Sequence, residues 1–139
     1  MIFNGEEVVR GSASSSSSYE KYKTIINREL LGISVLVIKA AMTSNGNSLS
    51  IQIDIENLSS SDLTNAALMA VIYEDLGVDK QHYIVRDMMP SEIISVSARQ
   101  QQTFNLTSDY GSNPSHFKAV VFLQLTSGQI LQSTLASAQ

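Results

Sequence analysis

The segment LSIQIDIENL at residues 49–58 alternates between apolar and polar side chains over its first eight residues. The apolar residues of that stretch occupy every second position: Leu49, Ile51, Ile53 and Ile55. Successive side chains of a β-strand point to opposite faces of the sheet, whereas the apolar stripe of a helix repeats every three to four residues. The segment therefore predicts a strand with one face in a core and the other toward solvent.

Similar extended segments recur from residue 33 to the end of the chain. Six more of them are separated by turn and loop sequences, at 33–42, 66–75, 82–89, 101–108, 116–125 and 130–137. Short strands with a turn every 8–12 residues or so are typical of an antiparallel sandwich, which takes about 100 residues. We therefore predict an immunoglobulin-like or fibronectin-III-like β-sandwich of about seven strands over 33–139. The chain has no cysteine or tryptophan, so it lacks the Cys–Trp–Cys pattern of antibody domains.

Some of these strands are apolar on both faces. The 116–125 segment places Leu123 on one face and Val120 and Phe122 on the other, and 33–42 shows the same pattern. The exposed face of an antiparallel sheet is normally polar. We therefore expect part of the outer surface to be covered, by an N-terminal helix, by a further domain or by a second copy of the chain.

Residues 1–32 do not follow the sheet pattern. MIFNGEEVVRG at 1–11 places apolar pairs on either side of Asn4-Gly5, which predicts a tight hairpin because such turns need positive φ. A serine-rich loop is expected at 11–18. A hairpin and one helix bury too little surface to fold alone, so this opening must rest on the sandwich or pair with another molecule.

A single helix is predicted over 18–31. Ser17 and Glu20 fit a capping box, in which serine and glutamate each bond a free backbone N–H, and Gly32 is the expected stop. Apolar side chains recur at helical spacing, at Tyr19, Tyr22, Ile25, Ile26 and Leu30.

The order of these opening elements resembles the last third of a thioredoxin-fold domain. IFNGEEVVRG…YEKYKTIINREL supplies a hairpin, a glycine after its second strand and a final helix. With a sandwich containing VIYEDLGVDKQHYIVRDMMP, the chain resembles bacterial extracytoplasmic thioredoxin-like proteins of the Omp28-related type. The resemblance implies a thioredoxin-like remnant at 1–32, an immunoglobulin-like domain at 33–139 and an extracytoplasmic location. It places the CxxC motif and cis-proline in a preceding domain, so no catalytic residue of that family falls on this sequence.

A small polar cluster is expected where His82, Arg86 and Asp87 share one predicted strand. Residues four apart lie on the same strand face, so His82 and Arg86 point together. One interpretation is a site for an anionic group. The favoured alternative is an outward face with an Arg86–Asp87 pair, worth about 1 kcal/mol or less.

Other polar residues do not form a recognisable site. The acidic loop EDLGVD at 74–79 lacks the alternating ligand spacing of a calcium loop. His82 and His116 alone do not make a zinc site. We therefore predict no catalytic residue, metal or cofactor. NLS at 57–59 and NLT at 105–107 match the pattern of glycosylation acceptors.

Charge and hydropathy disfavour two kinds of function, nucleic-acid binding and membrane insertion. A net charge of −4, with nine scattered Lys and Arg, disfavours nucleic acid as a partner. The longest apolar stretch, at 33–42, is too short to cross a bilayer and contains Lys39, so no membrane insertion is predicted.

The favoured interpretation is a non-catalytic accessory or interaction domain of a larger extracytoplasmic thioredoxin-like protein. Its expected partners are the preceding domain of its own chain and a second copy, bound through the opening hairpin or helix. The alternative is a peptide- or carbohydrate-binding module that uses strand edges or the loops at 76–81 and 109–115. An enzyme in its own right is the least favoured possibility.

Overall fold

The computed structural model describes residues 2–4, 7–10, 14–32, 34–46, 48–77, 83–109 and 116–138. In these ranges the chain opens with two short strands, β1 (Ile2–Phe3) and β2 (Glu7–Val8), followed by helix α1 (Ser15–Leu30). The strands after the helix are β3 (Leu36–Asn45), β4 (Ser48–Asn57), β5 (Leu63–Glu74), β6 (Ile84–Met88), β7 (Glu92–Val96), β8 (Gln101–Asp109), β9 (Phe117–Gln124), β10 (Ile130–Leu135) and β11 (Ser137–Ala138).

The strands after α1 form two sheets that pack as a β-sandwich. One sheet has the order β11-β3-β4-β8, and the other has the order β10-β9-β5-β6. The long strand β5 also pairs with β7, which lies beside its first half while β6 lies beside its second half. Both sheets are antiparallel except at β11, which runs parallel to β3. The predicted immunoglobulin-like or fibronectin-III-like sandwich is confirmed.

The end of the chain passes from one sheet to the other. After β10 the backbone N–H of Ala136 donates to the carbonyl of Ala119 at 2.8 Å. β11 then pairs with Ala41 and Met42 of the opposite sheet. The last residues thus join the two sheets along one edge.

The core is built from the alternating strands. The inward residues of β4 are each at most 1% exposed: Leu49, Ile51, Ile53 and Ile55. Those of β5 and β9 face them, and in-register pairs such as Leu68–Leu123 and Ala70–Val121 are completely or almost completely buried. The period of two in LSIQIDIENL therefore predicts the orientation of β4 correctly.

The opening hairpin and helix form a small unit beside the sandwich. β1 and β2 pair with each other and belong to neither main sheet. Arg28 forms an ion pair with Glu7, and the side-chain amide of Asn4 donates to Glu29 at 3.1 Å, so the hairpin is tied to the helix. The backbone N–H of Ile130 donates to the carbonyl of Asn4 at 3.0 Å, which attaches the unit to the start of β10.

The start of α1 differs from the prediction. Ser14 is the N-cap, and its hydroxyl accepts the backbone N–H of Ser17 at 3.4 Å. The predicted capping box at Ser17 and Glu20 is therefore wrong, and the predicted loop at 11–18 is helical from Ser15. Serine costs only about 0.5 kcal/mol relative to alanine inside a helix, which a well-placed N-cap hydroxyl offsets.

Strand β7 is absent from the sequence-based prediction. Ile94 and Val96 point into the core, while Ile93 and Ser95 are exposed. Only two inward residues carry the signal, and Pro90 precedes them closely. A strand of five residues with two core contacts is too short for its period to stand out from a loop.

Candidate functional site

Arg86 and Asp87 of the predicted polar cluster bond to different partners. Arg86 donates from Nε and Nη2 to one carboxylate oxygen of Glu74, at 2.8 and 2.6 Å. Asp87 instead accepts the hydroxyl of Ser108 at 2.6 Å. The expected Arg86–Asp87 pair is wrong, because a register shift between β5 and β6 separates the partners of adjacent residues. His82 lies outside the described residues.

A second ion pair lies at the same end of the β10-β9-β5-β6 sheet. Lys118 Nζ donates to Asp75 at 3.0 Å, and this hydrogen bond, with the charge of Asp75, raises the pKa of Lys118. Because the folded-state pKa is raised, the pair stabilises the fold below the ordinary lysine value of 10.5 and loses that effect as the pH rises through the folded-state value. The rings of Tyr73 and Tyr83 lie 5.7 Å apart beside it.

The metal-type motifs gain no support among the described residues. Within those ranges no group of three or more His, Asp or Glu is placed to hold a metal ion. His116 is exposed just before β9, and Asp79 of the acidic loop falls outside the described ranges. No helix in the described part of the chain is long and apolar enough to cross a bilayer.

The NLS motif at 57–59 has a structural role that sequence reasoning misses. Asn57 is only 1% exposed. Its amide donates to the carbonyls of Ser61 and Val96, at 2.9 and 3.1 Å, and its carbonyl oxygen accepts the N–H and hydroxyl of Ser59. The side chain therefore ties the end of β4 to the following loop and to β7, and it is buried in the folded chain. Asn105, in the second motif, is exposed on β8.

The outer face of the β10-β9-β5-β6 sheet is apolar at its centre, with Lys118, Gln124 and Ser133 around it. At its centre, Met69 and Val71 of β5 pair in register with Phe122 and Val120 of β9. Each of these residues alternates with a core residue, so all four point away from the other sheet. We refer to these four residues, with the margin described next, as the apolar outer face.

The margin of the apolar outer face extends it across the neighbouring strands. Val85 pairs with Tyr73, Met88 with Val71, Ile93 with Ala67 and Leu135 with Val120, and paired residues of an antiparallel ladder share a face. The first residue named in each pair is more than half exposed. These four side chains are therefore not covered by α1.

The opposite sheet of the same sandwich has a polar outer face. Gln52 and Asp54 of β4 pair with Asn105 and Thr103 of β8. The hydroxyl of Thr103 donates to Asp54 at 2.6 Å. One outer face thus follows the polar pattern normal for a solvated antiparallel sheet, whereas the other does not.

Two grooves flank α1. The groove between hairpin and helix, about 640 Å³, is lined largely by charged side chains, including Glu7, Arg10 and Arg28. The other, about 550 Å³, lies between the end of α1 and the start of β10 and is lined by apolar side chains such as Ile26 and Leu131. Only the second groove reaches the Ile130 corner of the sheet, and neither includes a residue of the β5–β9 outer face.

Comparison with known proteins identifies the fold. In sequence, the chain matches no protein-family model and no curated protein. In structure, it is similar to a domain of the outer membrane lipoprotein Omp28 from Porphyromonas gingivalis, with a TM-score of 0.54 and 11% identity over 78% of this chain and 93% of that one.

Two enzymes contain a region of similar fold. The match to the alkylpurine DNA glycosylase AlkC from Pseudomonas fluorescens has a TM-score of 0.50 and 13% identity, and covers 84% of this chain but only 34% of the glycosylase. The match to a β-glucuronidase from Bacteroides uniformis has a TM-score of 0.50 and 15% identity, and covers 72% of this chain and 12% of the enzyme. At such identities the likeness shows a shared β-sandwich fold.

Proposed function

We propose that this chain is a non-catalytic β-sandwich module that binds another polypeptide through its apolar outer face. The supporting observation is the contrast between the two outer faces of one sandwich. The β4–β8 side presents Gln52, Asp54 and Asn105, while the β5–β9 side presents Met69 and Phe122. Burying apolar surface contributes roughly 25 cal/mol per Å² to stability. Met69 and Phe122 make that contribution only if something covers them, so their position on an outer face favours a binding partner.

The size of the apolar outer face fits a binding surface. Four strands about 4.8 Å apart span about 19 Å, and positions 67–73 of β5 span about 23 Å. This part of the sheet therefore measures about 440 Å² in projection. Apolar side chains occupy most of it, and Lys118, Gln124 and Ser133 occupy the rest. Contiguous apolar patches of about 300–600 Å² are the largest that typical monomers expose, and they are often functional.

We further propose that the module belongs to a larger extracytoplasmic protein of the thioredoxin-like, Omp28-related type. Supporting this, β1, β2 and α1 form a unit whose strands join neither main sheet. The helix buries only Ile25 among its described residues and ends with Leu30 and Leu31 largely exposed, as expected for a fragment that packs against further chain. The similar fold of the Omp28 domain adds support for this type of protein.

The sequence ahead of residue 1 in the natural protein tests this second proposal. A preceding domain with a CxxC motif, and with a proline just ahead of residue 1, is the expected result. A preceding sequence without either feature would remove the thioredoxin-like parentage and leave the binding proposal intact.

A carbohydrate-binding role is the alternative, favoured by the Tyr73–Tyr83 ring pair at the edge of the apolar outer face. Sugars present many hydroxyl groups, which need hydrogen-bond partners when they are taken out of water. The centre of the face offers Val, Met and Phe side chains, which have no such partners to give. A polypeptide with an apolar surface is therefore the better match.

Site-specific photo-cross-linking tests the binding proposal. Phe122 and Thr103, on opposite outer faces, are each replaced by the photo-reactive p-benzoylphenylalanine in the full natural protein in its host. We expect cross-linked polypeptide adducts from position 122 and few or none from position 103. Adducts from neither position, or equal adducts from both, would contradict a binding role for the apolar outer face.

A further inference from the structure

We infer that the apolar outer face binds the same face of a second copy of this chain, forming a two-fold symmetric, sheet-on-sheet dimer. This inference rests on the proposed function and names the partner. It places the interface on β5 and β9, away from the opening hairpin and helix where the sequence predicts a dimer.

The charge distribution favours a second copy as the partner. The chain carries a net charge of −4, so two copies repel each other overall. The centre of the apolar outer face is uncharged, and Lys118 at one end is already paired with Asp75. Two copies meeting through this face bring no like charges together at its centre, which removes the usual penalty for self-association.

The geometry of the face is suited to a two-fold interface. Met69, Val71, Val120 and Phe122 form a compact block on two adjacent strands. A symmetric dimer uses the same patch on both subunits, so a block near the axis packs on its own copy. Sheets stack face to face at about 10 Å with their strands about 30° apart, which is the arrangement we expect.

The area is sufficient for a reversible dimer. Two faces of about 440 Å² in projection bury about 900 Å² before side-chain relief is counted. This lies below the standard size of specific interfaces, about 1,200–2,000 Å², and in the range of weak, transient contacts. We therefore expect a dissociation constant in the micromolar range.

The opening hairpin offers a weaker interface. β1 and β2 have two residues each, so an edge of this hairpin provides very few backbone hydrogen bonds to a second copy. The groove at the end of α1 is apolar but small, and part of its lining, Asn4 and Ile130, is already joined by a backbone hydrogen bond. The β5–β9 face is the larger and flatter surface.

Sedimentation equilibrium tests the dimer. We expect the wild-type chain to be dimeric at 100 μM or so and monomeric at about 1 μM, in line with a micromolar dissociation constant. Val120→Lys places a charge from each subunit at the centre of the interface and is expected to weaken the dimer at least 100-fold. Gln52→Lys introduces the same residue on the polar outer face and leaves the dimer unchanged. Circular dichroism confirms that both variants fold.

A second measurement locates the interface without relying on a destabilising substitution. The chain has no cysteine, so Phe122→Cys and Gln52→Cys each introduce a single thiol. A short bismaleimide is expected to join two copies through position 122 and not through position 52. A dimer that persists in Val120→Lys, or that cross-links equally well through both positions, overturns the assignment of this face.

The outcomes separate the inference from the proposed function. A wild-type chain that stays monomeric at 100 μM, in a protein whose position 122 still photo-cross-links to a different polypeptide, overturns self-association alone. A monomer without position-specific photo-cross-links overturns both.

Discussion

Replacing Ile53 with alanine is expected to lower the free energy of unfolding by about 3–4 kcal/mol. Ile53 is 0% exposed at the middle of β4, between two other fully buried isoleucines. Truncation removes buried apolar surface and leaves a cavity that surrounding strands cannot fill, and such changes cost about 2–5 kcal/mol. Urea denaturation followed by circular dichroism measures the loss.

Ile93→Ala is the matched control. Ile93 is 63% exposed on β7, at the margin of the apolar outer face. At protein concentrations low enough to keep the chain monomeric, this substitution is expected to change stability by about 0.5 kcal/mol or less. Equal losses for both isoleucines would show that the alternation has been assigned to the wrong faces.

Replacing Asn57 with alanine is expected to cost about 2–4 kcal/mol. The substitution removes the amide donor to the buried Val96 carbonyl and the acceptor of the Ser59 N–H. The Ser59 hydroxyl also loses this acceptor but keeps the carbonyl of Ser61. A buried polar group left unpaired costs about 1–3 kcal/mol, and here more than one group is affected. Denaturant titration of the purified chain gives the value.

Two further variants make the role of Asn57 specific. Asn57→Asp keeps the size of the side chain but cannot donate to Val96 and buries a charge, so it is expected to be at least as damaging as alanine. Asn105→Ala, in the exposed second motif, is expected to stay within about 0.5 kcal/mol of wild type. A neutral Asn57→Ala would show that the loop does not depend on this side chain.

The sheet architecture is the part of the fold that the sequence predicts well. In β4 the alternation covers four inward apolar residues, and a pattern of that length identifies a strand on its own. In β7 only Ile94 and Val96 point inward, and a signal of two residues is indistinguishable from a loop. The length of the inward-facing series therefore decides whether a strand can be recognised.

The start of the helix and the partners of polar side chains cannot be identified from the residue types alone. The run SSSSS at 14–18 contains five chemically equivalent candidates for the N-cap, and the structure has the N-cap at Ser14. Asn57 matches a modification motif in sequence, but its partners at Val96 and Ser97 lie about 40 residues away. Arg86 selects Glu74 across a register shift rather than the adjacent Asp87.

The apolar outer face is predictable only in part. The 116–125 segment is visibly apolar on both sides, which predicts that Val120 and Phe122 face outward and need a cover. That they lie beside Met69 and Val71 follows from the pairing of β5 with β9, strands more than forty residues apart in the chain. Strand order therefore turns scattered outward residues into one continuous surface.

The accessibility of methyl groups to a soluble paramagnetic probe, measured by NMR across a dilution series, tests the central claim most directly. We expect the methyls of Met69, Val71 and Val120 to become more accessible on dilution as the face opens. Methyls of Ile53 in the core and of Thr103 on the polar outer face are expected not to change. Uniformly low accessibility of Met69, Val71 and Val120 at every concentration would contradict the account, since it would mean that the chain itself covers this face.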